Sequence, residues 1–502
     1  MKTIYDLFKS HVDTEPQKVA VIYEDSQLSY FAVNEQVTNL CGYLQHLGLT
    51  AGQRIALFAP NGIEYPIILL ACARLGLGVV PLPISLKGDA LITALKSTPV
   101  AAAIAWPTVS KVLLETNVVE KSSVITMHKA VADEISWSQV MSGAWPLLEI
   151  KEVDVSSPYI LTMTSGSTGQ PKPITLSQQC KINRAFLATI QYYRLNKDDT
   201  VLVATPLYHS LAQRGVLMPL MLGATTVILP KFNLQQWVKA IWLHKVSFLF
   251  AVSAQLESLL NNDVDIGQLA SIRCLVSSSA VLNADSKKRL LAKLSCQFHE
   301  CYGASEVGVV TDFSITTEPN KNGSVGKPLP FVDVKIVDEH RTPVASMDVG
   351  EITCKTLTAF SGYLKLPEAT SAAYDDEGYF YTGDLGYLDN DGYLYYVGRK
   401  KEVISSGGIN VYPQDIEAVI KKHPKVMDCV AFACPEPQLG EVVKVVYEQV
   451  DDSDITRELR QICLNELTDY QQPRFLESIS ELDRNQMGKV LRNDVKLKYQ
   501  LR

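Results

Sequence analysis

Residues 164–172, Thr164-Ser165-Gly166-Ser167-Thr168-Gly169-Gln170-Pro171-Lys172, bring hydroxyls, glycines and one ammonium into a single short stretch. An extended apolar run, Tyr159-Ile160-Leu161-Thr162-Met163, precedes it and predicts a strand. Backbone N–H groups and hydroxyls in such a turn can converge on phosphate oxygens, with Lys172 adding a cation. The stretch is not a Walker loop, because Gly169 is followed by Gln-Pro-Lys and not directly by Lys and Ser/Thr. On its own, a Ser/Gly/Thr run between strands is more often plain loop.

Five further stretches carry chemistry. Pro206-Leu207-Tyr208-His209 leaves an imidazole on a loop after a strand. Cys301-Tyr302-Gly303-Ala304-Ser305-Glu306 combines an aromatic plane, a flexible glycine, a hydroxyl and a carboxylate. Tyr381-Thr382-Gly383-Asp384-Leu385 presents an acid after a turn, and residues 398–413 run from Gly398-Arg399-Lys400-Lys401 into the pair Gly407-Gly408. Near the end, Gln486-Met487-Gly488-Lys489-Val490-Leu491-Arg492 puts a lysine after a glycine. Each has a plainer explanation when taken alone. Lys489 sits among Arg484, Arg492, Lys496 and Lys498, the pattern of a solvated basic face. Asp384 reads as a turn acid, Tyr302 as a core aromatic and Glu306 as a surface carboxylate. For His209, a hydrogen-bonded loop histidine competes evenly with one facing a ligand pocket.

These residues need a scaffold, and 502 residues exceed one ordinary core, so two or more domains are expected. A hydrophobic fraction of 47% with 20% charged residues describes a globular protein. The net charge of −7 argues against general affinity for nucleic acid or anionic membranes, so a polyanion has to be held by local cations. Ten scattered cysteines without a Cys-x-x-Cys pair read as core thiols in a reducing compartment. The N-terminus lacks an apolar signal segment. The two most apolar runs, 65–86 and 216–229, are broken by charge, proline or glycine and are not membrane spans.

Helical spacing of Val37, Leu40, Cys41, Leu44 and Leu47 predicts a helix over 29–47, followed by a strand at 54–59 and a helix over 63–75. Strands are expected near 79–80, 101–105, 123–127, 201–204, 225–229, 248–250 and 272–276. Such alternation gives layered α/β sheets, mostly parallel, with ligands beyond strand C-termini. From about 320 the texture changes to short strands with turn residues, an antiparallel barrel-like subdomain. A helix (413–422), two strands (426–433 and 441–450) and a second helix (455–467) predict a small α+β domain at the end.

Taken together, in this order and spacing, the stretches resemble the adenylate-forming superfamily of acyl- and aryl-CoA synthetases, luciferase-like enzymes and peptide-synthetase adenylation domains. Val325-Gly326-Lys327-Pro328 and Gly362-Tyr363 with Pro367-Glu368-Ala369-Thr370 are weaker shared features. The resemblance implies an N-terminal domain over 1–398 (the barrel-like part about 320–397), a hinge at 399–401 and a mobile lid at 402–502. It implies ATP-dependent conversion of a carboxylic acid to acyl-AMP, then transfer to a pantetheine thiol, either CoA or a carrier protein's phosphopantetheine arm, in the cytoplasm. Thr164, Ser165, Gly166, Ser167, Thr168 and Gly169 would wrap the β- and γ-phosphates, with Lys172 nearby. Tyr302 would lie against the adenine, Gly303 and Ala304 would belong to the same ATP/AMP-binding stretch, Ser305 would touch phosphate and Glu306 would hold Mg²⁺. Asp384 would accept the ribose hydroxyls and Arg399 would bind ribose or phosphate. Lys489 would meet the charge developing between carboxylate and α-phosphate. Lys401 would be the hinge, Gly407 and Gly408 would line the thiol tunnel, and His209, Ser278, Ser279 and Ala280 would line the acyl pocket.

Two departures qualify the resemblance. Pro173 stands where the family usually has glycine after the loop lysine, which removes one N–H donor. Ser278-Ser279-Ala280-Val281 replaces the usual Gly-Gly-Ala-Pro, and its hydroxymethyl groups narrow or polarise the channel, favouring a short, medium or aromatic acid over a long fatty chain. An α-amino acid is disfavoured, because Lys231-Phe232-Asn233-Leu234 lacks the aspartate that peptide-synthetase domains place there. A CoA ligase, a carrier-protein-loading enzyme and a non-catalytic nucleotide-binding scaffold stay open, and intact Lys489, Glu306 and Asp384 argue against the scaffold.

Overall fold

The helix expected over 29–47 is Tyr30–His46, with the Ser29 hydroxyl accepting from the Ala32 N–H at 3.1 Å as its N-cap. This computed structural model describes residues 2–128, 134–164, 172–278, 282–437, 439–485 and 488–500. The strand Arg54–Phe58 and helix Glu64–Leu75 follow, and the helix stops where Gly76 turns left-handed at φ +68°. The later predicted strands are Gly78–Pro81, Ala102–Ala105, Val124–Thr126, Thr200–Val203, Thr225–Ile228, Phe248–Val252 and Cys274–Ser278.

By packing, the chain divides into two compact units, 1–333 with 355–380 and 334–354 with 381–502. The first is layered α/β. One of its sheets runs Gly362–Tyr363, Lys172–Ser177, Pro158–Thr164, Gly78–Pro81, Arg54–Phe58, Ala102–Ala105, Val124–Thr126, Ile135–Ser136 in spatial order. The other runs Lys327–Pro328, Gly308–Ser314, Gln297–Ala304, Cys274–Ser278, Phe248–Val252, Thr200–Val203, Thr225–Ile228, Val19–Tyr23, Ser26–Ser29. Central pairs are parallel; both edges of the second sheet and the Gly362–Tyr363 edge of the first are antiparallel, while the Ile135–Ser136 edge is parallel. Their near-continuous apolar strands, such as Phe248–Val252, are buried throughout, as strands covered on both faces must be.

The short strands after residue 320 form a four-stranded sheet, Val332–Val337, Gly350–Thr356, Phe380–Leu388 and Leu394–Arg399, most of which falls in the second unit. The expected C-terminal elements are Pro413–Ile420, Val426–Glu436, Gly440–Gln449 and Thr456–Glu466. A further strand, Phe475–Ile479, runs parallel to Gly440–Gln449; its half-exposed residues carry no clean alternation, so periodicity did not reveal it. Ile404, Ile416, Ile420, Val445 and Leu459 lie in this unit's core. Nine of the ten cysteines are buried, and no helix among the described residues is long and apolar enough to cross a membrane.

Candidate active site

Strand ends position much of the first unit's site. Thr164, Ser278 and Ala304 each end a strand, and His209 caps the helix Ser210–Leu222 a few residues beyond Thr200–Val203. Ser165, Gly166, Ser167, Thr168, Gly169, Ser279 and Ala280 lie outside the described residues; for Thr164 the structure gives the backbone, paired with Lys172 across antiparallel strands.

Glu306 occupies the tight connection between the antiparallel strands Gln297–Ala304 and Gly308–Ser314. Tyr302 is half-buried, not a core aromatic, and Ser305 is exposed. A methyl on Gly303 would stand 1.9 Å from the Gly308 carbonyl oxygen, so only glycine fits there. One buried side chain gathers the backbone of this loop. Arg184, 2% exposed, donates from Nε to the Thr358 carbonyl at 2.9 Å and from Nη2 to the Ser305 and Glu306 carbonyls at 3.0 and 2.9 Å. The Phe360 N–H also donates to the Glu306 carbonyl, at 2.6 Å.

With its backbone fixed, Glu306 accepts at Oε1 from the Tyr363 hydroxyl at 3.1 Å, and the Lys172 ammonium lies 5.3 Å over the same Tyr363 ring. The lysine that ends the small-residue stretch and the carboxylate expected to hold magnesium therefore meet on one tyrosine. Burial, then the Glu306 charge, push the Tyr363 phenol up. Among the described residues no cluster of three or more His, Cys, Asp or Glu could cage a metal alone. A single carboxylate on a rigid loop fits magnesium, which is held through one or two carboxylates plus substrate phosphates.

The loop before His209 is tied by Asn61. Its side-chain nitrogen donates to the Thr205 and Leu229 carbonyls at 3.0 and 2.9 Å, and its oxygen accepts from the Leu207 N–H at 2.8 Å. Among the described residues His209 Nε2 is buried without a hydrogen-bond partner, which departs from a hydroxyl- or carbonyl-bonded loop histidine at that atom. Burial lowers its pKa to about 4, so the imidazole is neutral near pH 7.

In the second unit, Asp384 and Arg399 are cross-strand partners, and Arg399 Nε pairs with Asp384 Oδ1 at 2.9 Å. Asp384 is only 2% exposed, more buried than a turn acid would be. The Gly383 N–H before it donates to Glu351 Oε1 at 3.1 Å, and Glu351 Oε2 pairs with the Lys400 ammonium at 2.7 Å.

Lys489 rides a tight turn. The Asn485 N–H donates to the Lys489 carbonyl at 2.9 Å, the Lys489 N–H donates to Asn485 Oδ1 at 3.0 Å, and Gly488 turns at φ +74°. Both flanks are anchored. Arg484 pairs with Glu448 at 2.8 Å and Asp428 at 3.3 Å; Arg492 pairs with Glu402 at 3.0 Å and Glu417 at 2.7 Å and donates to the Ala431 carbonyl at 3.0 Å. These arginines are braces, not a solvated face. Lys489 itself is exposed along its chain, yet crowding by protein atoms and the Arg399 guanidinium draw its ammonium below the ordinary lysine range, against Glu402 and Asp384. The structure thus brings Lys489, Arg399 and Asp384 into one electrostatic neighbourhood.

Lys401 lies exposed in the short turn Lys400–Glu402. Gly407 (φ +57°) and Gly408 (φ +81°) form a two-residue hairpin between Ile404–Ser406 and Ile409–Val411, a turn that needs positive φ at both positions. Sequence reasoning assigned no role to Asn61, Arg184, Tyr363 or Arg492. Gly362-Tyr363 stands only among the weaker shared features and Arg492 only in a basic run, and the partners of Asn61, Arg184 and Arg492 lie more than a hundred residues or several elements away.

The AMP-binding enzyme family model matches residues 8–364, and that of the AMP-binding enzyme C-terminal domain matches 415–489. Feruloyl-CoA synthase of Amycolatopsis sp is 30% identical, with 96% of each chain covered. Long-chain-fatty-acid–CoA ligase of Bacillus subtilis (strain 168) is 26% identical, covering 98% of this chain and 93% of that protein. Among solved structures, O-succinylbenzoate coenzyme A synthetase (MenE) from Bacillus subtilis, in complex with ATP and magnesium ion, superposes with a TM-score of 0.88 at 25% identity over 99% of each chain.

Proposed function

The chain belongs to the AMP-binding enzyme family, and from that premise we propose that it is an AMP-forming acid–thiol ligase with CoA as acceptor. In the first step a carboxylate oxygen attacks the α-phosphorus of ATP, pyrophosphate leaves, and a mixed acyl-AMP anhydride remains. In the second a thiol attacks the acyl carbon, AMP leaves with the bonding electrons, and the thiol proton passes to solvent.

Both reacting partners of the first step are anions, so positioning and charge neutralisation do most of the work. The observation that carries the reading is Lys489, held on a braced turn beside the Asp384–Arg399 pair. A nucleotide bound by that pair presents its α-phosphate to a fixed ammonium, which stabilises the charge developing there. Asp384 accepts from the ribose hydroxyls and Arg399 balances the neighbouring charge. Tyr302, Gly303, Ala304 and Ser305 follow the adenine and phosphates, and residues 164–169 with Lys172 hold the leaving pyrophosphate. Glu306 would hold magnesium, which when bound would neutralise phosphate charge. The Arg184 clamp and the Tyr363 hydroxyl keep that carboxylate in place.

The second step requires Lys489 to give way to the thiol, so 402–502 turn about Lys401 and bring Gly407 and Gly408 beside the pantetheine. Neutral His209 with Ser278, Ser279 and Ala280 lines the acyl pocket, and the serines favour a short, medium or aromatic acid. The need for ATP and CoA supports the cytoplasm as the compartment. ATP–pyrophosphate exchange with a panel of acids tests the reading, followed by CoA or a phosphopantetheinylated carrier protein. Acid-dependent exchange and CoA thioester support it; thioester only on the carrier moves the acceptor, and ATP binding without exchange for any acid refutes catalysis.

A further inference from the structure

Two neighbouring helices of the first unit, Gln178–Ala185 and Ser210–Leu222, bury three cations: Lys181, Arg184 and Arg214, exposed by 4%, 2% and 6%. Arg184 is satisfied by its three carbonyls. The Lys181 ammonium donates to Gln213 Oε1 at 3.1 Å, and burial with the two guanidinium charges pushes its pKa well below the lysine range, so it can shed its charge. Arg214 has no such exit, because a guanidinium stays protonated at neutral pH even when burial and Arg184 lower it to about 10.

Arg214 Nη1 is buried with no hydrogen-bond partner among the described residues. Its guanidinium lies 5.7 Å from the Phe250 ring centroid, a contact that leaves the in-plane N–H donors unused. Besides Arg184, the groups acting on it most are Cys301, Tyr193 and Cys180, none of them a carboxylate. A buried charge is tolerated when an anion pairs with it. Among the described residues none provides one.

Its position says where the anion comes from. Arg214 lies five residues past His209 on the same helix. Phe250 and Val252 share one face of their strand, and Val252 is in register with Ser278 on the next, so Phe250, Val252 and Ser278 point to the same side. The guanidinium therefore stands on the face of Ser278, roughly 7 Å (two strand residues) further back from the strand ends. On the acyl pocket proposed above, with His209 and Ser278 at its mouth, that position is the inner end.

We propose that the acid activated here bears a second anionic group, a carboxylate at its far end, and that Arg214 is the specificity-determining residue that receives it. The inference rests on the ligase reading and narrows its substrate to dicarboxylic acids. A site built around a buried charged donor rejects the analogue that leaves it unpaired far more strongly than an apolar pocket rejects one of the wrong length.

The test is ATP–pyrophosphate exchange by the full-length protein with straight-chain and aromatic diacids, each beside the monoacid of equal length. The best diacid is expected to exceed its monoacid in kcat/KM by at least about 10²-fold. Arg214→Gln removes most of that preference through KM for the diacid and leaves or improves the monoacid, while Arg214→Lys restores part of it. A wild-type preference for monoacids, or equal loss on both acids in Arg214→Gln, overturns the inference. A turnover-free readout separates the two levels of argument. Saturating diacid should raise the unfolding temperature of wild type and not of Arg214→Gln. That result without exchange for any acid would leave the Arg214 site standing and refute the ligase; exchange with no Arg214-dependent stabilisation would do the reverse.

Discussion

Replacing Arg492 with leucine tests whether the turn carrying Lys489 is held from beneath. Arg492 and Glu402 are about one-fifth exposed, at 22% and 21%, so their pair is worth little, at most about 1 kcal/mol. Glu417 differs. It is 10% exposed on its side chain, accepts from the Ala431 N–H at 2.8 Å, and burial already raises its pKa against the pull of Arg492. Removing one partner of a buried pair costs roughly 3–5 kcal/mol, of which this partly open site should show the lower end.

At 1.4 kcal/mol per tenfold, that is a rise of about 10²-fold or more in amide exchange through local opening of Val426–Glu436 and Gly440–Gln449. Hydrogen-exchange mass spectrometry on those segments is the assay. All five tryptophans, at 106, 137, 145, 237 and 242, lie in the first unit, so their fluorescence serves as an internal control that should not move. Glu417 has a raised folded-state pKa, so protonation relieves its unpaired charge. The deficit of the variant is smallest at low pH and grows as pH rises through that pKa. Adding Glu417→Gln should recover about 2 kcal/mol of the loss. Unchanged exchange in 426–449, or a double variant as weak as the sum of the singles, would refute the brace.

Tyr363→Phe removes the hydroxyl on Glu306 at 3.1 Å, one hydrogen bond of about 1 kcal/mol, and should raise the magnesium concentration needed for half-maximal exchange about fivefold; an unchanged requirement would contradict the placement. Gly408→Asn keeps a residue that tolerates positive φ and should leave stability nearly unchanged, whereas Gly408→Val at φ +81° should lower the unfolding temperature. If Asn slows thioester formation from supplied acyl-AMP without destabilising, the tunnel role is supported beyond the turn; an Asn variant as active as wild type in that step would argue for the turn alone. The His209 imidazole should titrate by NMR at about 4. Its folded pKa lies below the unfolded value, so its stabilisation is present above pH 6.5 and is lost as pH falls towards 4; a midpoint near 6.5 would show a solvated ring.

The strongly periodic segments were legible from sequence because burial and period agree: Tyr30–His46, Arg54–Phe58 and Val426–Glu436 lie where apolar spacing put them. The chemistry-bearing residues were legible as types in an order. What holds them was not. Arg184 reads as one charge on a short polar helix, yet it fixes carbonyls 121 and 122 residues away. Arg492 reads as part of a basic surface, and its acids come from the helix Pro413–Ile420 and the turn Lys400–Glu402, several elements back. Such contacts depend on tertiary closure, which no local pattern reports. Gly407 and Gly408 show the converse: residues attributed to a tunnel already have a sufficient local reason in the hairpin turn they form.

The most direct measurement separates the two half-reactions in Lys489→Ala. The turn is closed by Asn485 and Gly488 and braced by Arg484 and Arg492, so the variant should fold as wild type. Loss of a donor aimed at developing charge predicts a fall of about 10²–10³-fold in acid-dependent pyrophosphate exchange. Conversion of supplied acyl-AMP and CoA to thioester should stay within a few-fold of wild type. Equal loss in both steps, or exchange at the wild-type rate, would contradict a lysine that serves adenylation alone.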